Sequence, residues 1–252
     1  MRIEAVTVCA NYADFLAETI DSVLAVVDDW VVVTTPGDEA TKRLCKRRGL
    51  RCLPTDVFAR DGGGFNKARG INYGLSHHSG TDWLLHLDAD VWLPPGTRHH
   101  LLHAELDRAV IYGVDRLNCS GYDQWRRFLE QHRVESQYEW SCLVKPLTTP
   151  PLPLGARIAH RDYGGYCPLG FFQLWHGSTG RTYPITHRGD AERTDILHAL
   201  QWPRPRRVLL PEVLAVHLES EPAPMGVNWK GRATKPFGPQ PTQAPAQSPP
   251  TY

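Results

Sequence analysis

Residues 3–53, IEAVTVCANYADFLAETIDSVLAVVDDWVVVTTPGDEATKRLCKRRGLRCL, decide the fold class. Ile3 to Ala10 reads as a first strand, buried on both faces. Phe15, Leu16, Ile20, Val23, Leu24 and Val27 then recur at helical spacing, with Glu18 and Asp21 on the other face. Asn11 or Asp14 is placed to cap this helix. A second strand is expected over Trp30–Thr35. Pro36-Gly37-Asp38 turns the chain, and Asp38 is placed to cap a basic helix that stops at Gly49. Arg51-Cys52-Leu53 reads as a short third strand. Strand, helix, strand, helix, strand is the pattern of a right-handed parallel α/β unit. Ligands of such sheets sit beyond the carboxyl ends of the strands. Asn11, Thr35, Asp38 and Asp56 all fall at such ends.

Outward from this unit, Asp61-Gly62-Gly63-Gly64 is a glycine-rich loop without phosphate-loop spacing, and a helix is expected over Asn66–Leu75. Trp83-Leu84-Leu85-His86-Leu87-Asp88-Ala89-Asp90-Val91-Trp92-Leu93 follows, stopped by Pro94 and Pro95. Two carboxylates close to a buried strand are expensive unless something compensates them. In extended chain, residues i and i+2 point the same way, so Asp88 and Asp90 are placed to share one divalent ion. The same spacing also fits a strand end with two solvated turn acids.

Further on, a helix is expected over Gly96–Arg108 and a strand over Ala109–Arg116. Gln124–Gln137 reads as a polar helix containing Trp125 and Phe128. Lys145–Pro153 is a proline-rich loop. Tyr163–His176 has the glycines and aromatics for close backbone approach and stacking. Asp190–Leu197 opens a short amphipathic helix, acids first. Val208–Leu210 and Val213–Leu218 read as two strands, with His217 near the end of the second. Pro236–Tyr252 has almost no charge and too little apolar content for a core, which makes it a disordered tail.

The 252 residues are enough for a full core, in one large domain or two small ones. The formal net charge of +1 carries no global signature of nucleic-acid binding. The six cysteines form no C-x-x-C pair and no zinc-spaced cluster with histidine. With no basic-apolar leader and no stretch of membrane-spanning length, the expectation is a cytoplasmic protein with reduced thiols.

Taken in order, four stretches resemble the family 2-type glycosyltransferases of the GT-A fold. They are Val6–Tyr12, Val31–Asp38, Phe65-Asn66-Lys67-Ala68-Arg69-Gly70-Ile71-Asn72-Tyr73-Gly74-Leu75, and Leu87-Asp88-Ala89-Asp90, which is similar to that family's Asp-X-Asp signature. The resemblance implies a mostly parallel Rossmann-like sheet flanked by helices. It implies a nucleotide-sugar-binding half over 1–118, an acceptor-binding half of the same domain over 119–235, and the tail over 236–252. The donor it implies is a nucleoside-diphosphate sugar, with a UDP-sugar as the first expectation. Asn11, Asp38 and Asp56 would lie near the nucleoside. Asp88 and Asp90, joined by His217, would hold Mn²⁺ or Mg²⁺. Asn66, Lys67, Arg69, Lys230 and Arg232 would lie at the donor, the basic ones on its diphosphate.

Inverting members use an Asp base, commonly within a Glu-Asp-x-Asp motif. Here the segment is Glu192-Arg193-Thr194-Asp195, with arginine at the usual base position. Asp195 is the candidate base, with Asp190 and Glu192 behind it. Trp175 and Trp202 are candidates for stacking on a sugar or a base. The acceptor stays open among a saccharide, a small molecule, a protein and a modified DNA base. The last draws on Trp125-Arg126-Arg127 and Arg204-Pro205-Arg206-Arg207. A non-catalytic nucleotide-sugar-binding protein is the alternative of a different class. A nucleotidyltransferase is disfavoured, since Ala10–Asp14 has neither glycine nor a basic residue.

Overall fold

The computed structural model describes residues 1–62, 64–80, 82–131, 166–187, 190–222 and 226–239. The loop at 145–153, the glycines at 164–165, the end of the helix expected to 137 and residues 240–252 of the expected tail lie outside these residues; the start of that tail does not fit the expectation, since Phe237 is buried and stacks on Phe15.

One eight-stranded sheet organises the chain, in the order β3-β2-β1-β4-β7-β6-β8-β5. Its first strands are β1 (Ile3–Val8), β2 (Asp29–Thr34), β3 (Arg51–Pro54) and β4 (Trp83–Leu87), all mutually parallel. Every residue of β1 and β4 is buried, including the polar Glu4, Thr7 and His86. Helix α1 (Ala13–Leu24) packs Phe15, Leu16, Ile20 and Val23 into the core. Helix α2 (Glu39–Arg48) starts at Asp38, whose side chain accepts from Thr41 N, and ends at Gly49 in the left-handed conformation. Helix α3 (Lys67–Leu75) is capped by Asn66. It crosses the sheet so closely that a Cβ on Gly74 would come within 2.3 Å of Val6.

The remaining strands are β5 (Val91–Trp92), β6 (Ile111–Ser120), β7 (Phe172–His176) and β8 (Arg207–Glu219). β7 runs antiparallel between β4 and β6, β8 is parallel to β6, and β5 is antiparallel to β8. Helices α4 (Thr97–His103), α5 (Tyr122–Gln131) and α6 (Thr194–Ala199) complete the described elements, with short 3-10 turns at 57–62, 177–179 and 204–206.

Several expectations are corrected. Neither Asn11 nor Asp14 caps α1: its N-cap is Tyr12, with no side-chain cap bond, and the Asp14 carboxylate is taken by Arg232. The helix expected to Arg108 ends at His103. The two strands expected over 208–218 are one. Its register against β6 shifts between Gly113 and Asp115, where Pro211 and Glu212 are exposed. Proline cannot donate to a ladder, so the strand bulges there without ending. Part of the glycine-rich stretch is a 3-10 turn, Val57–Gly62. Strand β7 was not expected as a strand. Trp175 on β7 and Trp202 are both essentially inaccessible, so they pack the core and have no surface for a sugar.

Candidate active site

Strand β4 does not continue through the acids. It ends at Leu87, and Asp88-Ala89-Asp90 is a turn before β5. The turn is fixed from two sides: Thr19 Oγ1 donates to Ala89 O at 2.8 Å, and Leu218 N donates to Asp90 O at 2.8 Å. The extended-chain reading of the pair is therefore corrected, and the two carboxylates have different neighbours.

Asp88 meets Lys67 Nζ at 2.5 Å and His86 Nε2 at 3.5 Å. Burial works against its ionisation most strongly, but Lys67, by charge and hydrogen bond, together with His86 and His217, holds the Asp88 pKa below the ordinary range. His86 is fully buried, and burial pushes its pKa down to about 3, so the ring is neutral at physiological pH. Asp90 is raised instead, by burial first, and its Oδ1 is buried with no hydrogen-bond partner. His217 Nε2 faces that oxygen at 3.6 Å, while His217 Nδ1 faces Glu219 at 3.3 Å. The antiparallel pairing of β5 with β8 puts Val91 opposite His217 and so brings these groups together from distant sequence.

An orphaned buried carboxylate oxygen opposite an imidazole is a donor set suited to a divalent cation such as Mn²⁺ or Mg²⁺. Asp88 is turned to Lys67, so the three side chains do not converge as they stand. Among the described residues one trio does converge to within 4.8 Å, namely Glu4, Asp29 and His78. It lies at the opposite, amino end of the parallel strands and is already compensated. Arg51 reaches Asp29 at 3.2 Å, and Ser79 Oγ donates to Glu4 at 2.8 Å.

The acids open into a cavity of about 680 Å³. Tyr12, Lys67, Asp88, Asp90 and Arg232 line one side, and Glu192, Arg193 and Asp195 line another. Arg232 donates from both terminal nitrogens to Asp14 and also to the Asn11 carbonyl at 2.8 Å, and it lies 5.0 Å from the centre of the Tyr12 ring. The segment 226–239 is thereby tied over the β1–α1 loop. Asp195, in the first turn of α6, accepts from Gly170 N at 2.7 Å and from Ile196 N at 2.8 Å. Arg193, at the usual base position, sits at φ +58° and also faces the cavity.

Other expected site residues lie outside the cavity lining. Asp38 is 3% exposed and engaged by Asn11 N, Thr34 Oγ1, Thr41 N and Thr41 Oγ1, at 2.6–3.0 Å. Burial alone would raise its pKa, but these bonds, Thr41 foremost, hold the carboxyl low. It ties the loop after β1 to the start of α2. Asn11 contributes its backbone there, at φ +61°. Asn66 caps α3 and donates from Nδ2 to Thr186 O at 3.0 Å. Arg69 follows it on α3, Asp56 and Lys230 are exposed, and Asp190 accepts from Glu192 N at 3.1 Å. Arg126, Arg127, Arg204 and Arg206, the basis of the DNA alternative, are exposed and away from the lining.

Lining residues that were not expected at the site include His86, Arg116, Asn118 and Glu219. Their signal was alternation. Arg116 and Asn118 on β6, and His217 and Glu219 on β8, are polar residues two apart within apolar strands, so each pair shares a face.

Residues 4–164 match the profile of glycosyl transferase family 2. The chain belongs to that family. It is therefore a glycosyltransferase, and its sheet with flanking helices is the α/β architecture that the resemblance implied. A search of curated proteins finds no significant match. Among solved structures the transferase is similar to glucosyl-3-phosphoglycerate synthase from Mycobacterium tuberculosis, solved with Mn²⁺, UDP-glucose and phosphoglyceric acid. The identity is 15%, over 88% of this chain and 72% of that one, with a TM-score of 0.49. It is also similar to mannosyl-3-phosphoglycerate synthase from Rubrobacter xylanophilus, at 18% identity over 71% of this chain and 54% of that one, TM-score 0.41. These likenesses are distant. No described helix of the transferase is long and apolar enough to cross a membrane.

Proposed function

We propose that this glycosyltransferase moves a sugar from a nucleoside-diphosphate sugar to an acceptor hydroxyl with the help of Mn²⁺ or Mg²⁺, uridine being the nucleoside to test first. Asp90 and His217 would hold the cation, with Asp88 beside them. The observation that carries this is the buried Asp90 oxygen without a partner, facing His217. When bound, the cation supplies positive charge where the departing diphosphate gains negative charge, an effect of several kcal/mol to order of magnitude.

The chain's own residues do the rest. Lys67 lies on the cavity wall beside Asp88 and adds an ammonium near the diphosphate. Arg232 fixes the loop that forms the wall around Tyr12. Asp195 is the base: Gly170 N and Ile196 N orient its carboxylate, and each oxygen keeps a lone pair for a hydroxyl proton. In the reaction a bond forms between the acceptor oxygen and the sugar's anomeric carbon. The bond from that carbon to the diphosphate breaks, the diphosphate leaves with the electron pair, and Asp195 takes the hydroxyl proton.

The experiment is release of sugar from UDP-sugars, to water or to an added acceptor, with Mn²⁺ or with chelator. Turnover that needs the metal and disappears in Asp90→Ala supports the proposal. Turnover that is indifferent to both overturns it.

A further inference from the structure

Arg116 projects from β6 into the cavity, and its guanidinium carbon lies 4.8 Å from the centre of the Phe171 ring. Its Nε is buried with no hydrogen-bond partner, and no described carboxylate lies within ion-pair distance of it. Asp90, Glu219 and Asp88 lie near enough to act on it by charge, but none makes a hydrogen bond or ion pair with it: Glu219 faces His217 and Asp88 faces Lys67. Arginine keeps its charge even when burial lowers its pKa, as it does here. A buried Nε–H that finds no acceptor is costly, and the cost is reduced when an anion arrives to accept from it.

Asn118, two residues along the same face of β6, also has its buried Oδ1 without a partner. The register pairs Asn118 with His217 and Arg116 with Ala215, so Arg116 lies one step, about 7 Å by strand rise, from the level of the expected cation. The shelf Leu169-Gly170-Phe171 joins the two functions. Gly170 N holds the Asp195 carboxylate, and the next residue, Phe171, carries the Arg116 guanidinium on its ring.

We propose that Arg116, with Asn118, forms the acceptor subsite, and that the acceptor is a small polyhydroxy molecule bearing a carboxylate or phosphate a few bonds from the hydroxyl that receives the sugar. This rests on the donor reading above and adds the chemical class of the acceptor. Arg116 supplies two parallel donors to the anion, Phe171 keeps the guanidinium flat, and Asp195 meets the hydroxyl from the adjacent position on the shelf. A neutral saccharide can offer Arg116 only hydroxyl oxygens, without the charge that makes the bond strong.

The test is calorimetric titration of glycerol, glycerate and glycerol 3-phosphate into the full chain saturated with UDP and Mn²⁺, which blocks the donor subsite. The expected result is binding of one or both anions and none of glycerol at the same concentrations. Arg116→Gln should weaken the anion by about 10- to 100-fold, the range for hydrogen bonds to a charged group, and Arg116→Lys should recover part of it. UDP·Mn²⁺ binding should be equal in all three proteins, which also shows that the variants are folded. Absence of anion binding by the wild-type chain to tens of millimolar, glycerol binding as well as the anions, or an Arg116→Gln protein that binds them undiminished would each overturn the proposal. If UDP·Mn²⁺ itself does not bind, the donor reading fails, and the same titration on the nucleotide-free chain still decides whether Arg116 holds an anion.

Discussion

Asp90→Asn should make the metal-free protein more stable and the metal-loaded protein less so. Asp90 Oδ1 is buried without a partner, and burial already pushes its pKa up. An unsatisfied buried polar group costs about 1–3 kcal/mol. Asparagine keeps the shape and removes the charge but still lacks a partner, so the gain falls near the lower end, about 1 kcal/mol. For a chain of this size that is roughly 2–4 °C in melting temperature. The gain belongs to pH values above the Asp90 pKa. That pKa is raised in the folded state, so the charge penalty is full above it and disappears as falling pH protonates the carboxyl. With Mn²⁺ and UDP at about 100 times their dissociation constant, the wild-type protein gains about 2.7 kcal/mol by mass action, while the variant, lacking an anionic ligand, gains little. Scanning calorimetry with and without Mn²⁺ and UDP should therefore show the two melting temperatures changing order. A variant that melts below wild type without metal, or that keeps the full metal response, would refute the reasoning.

Other residues give further expectations. Asp38→Ala strips acceptors from Asn11 N, Thr34, Thr41 N and the Thr41 hydroxyl, and should lower unfolding free energy in urea by about 2–4 kcal/mol. Gly74→Ala places a methyl group 2.3 Å from Val6 Cγ2 and should cost about 1–3 kcal/mol by the same measurement. His198 is buried against Tyr183, and burial lowers its pKa to about 3. Between pH 6.5 and about 3 the unfolded chain protonates this ring and the folded chain does not. Its contribution is therefore complete above pH 6.5 and is lost as pH falls, by up to about 1.4 kcal/mol per pH unit. His198→Gln should reduce the slope of stability against pH in that window by one proton.

The parallel half of the fold was legible because its signals are local. β1, β2 and β4 are short, mostly apolar segments bounded by turn signals, α1 has helical spacing, and Asp38 and Gly49 mark the ends of α2 in three or four residues each. β7 was not legible, because Gly164, Gly165 and Gly170 mark the stretch up to His176 as close-approach backbone, and Gln173 leaves only five residues of mixed pattern. That amide is satisfied only by distant groups, the Pro168 and Asp195 carbonyls and the Tyr183 hydroxyl. Pro211 hid the continuity of β8 for a similar reason: the bulge that accommodates it exists only against β6. In the site, the acids were visible as a motif, but their division of labour was not. Lys67 on α3 turns Asp88 aside, and His217 on β8 faces Asp90, and both are tertiary placements. Asp38 shows the converse. Its position at a strand end did not reveal the four protein donors around it, which make it a tie within the loop.

The most direct measurement is paramagnetic broadening of histidine ring signals by Mn²⁺ in the presence of UDP. His217 should broaden at stoichiometric metal, with diamagnetic Mg²⁺ as the control, and Asp90→Asn should abolish the effect. His78, in the converged trio at the far end of the sheet, should stay sharp. Broadening of His78 with His217 unaffected would place the cation at Glu4 and Asp29 and contradict the account.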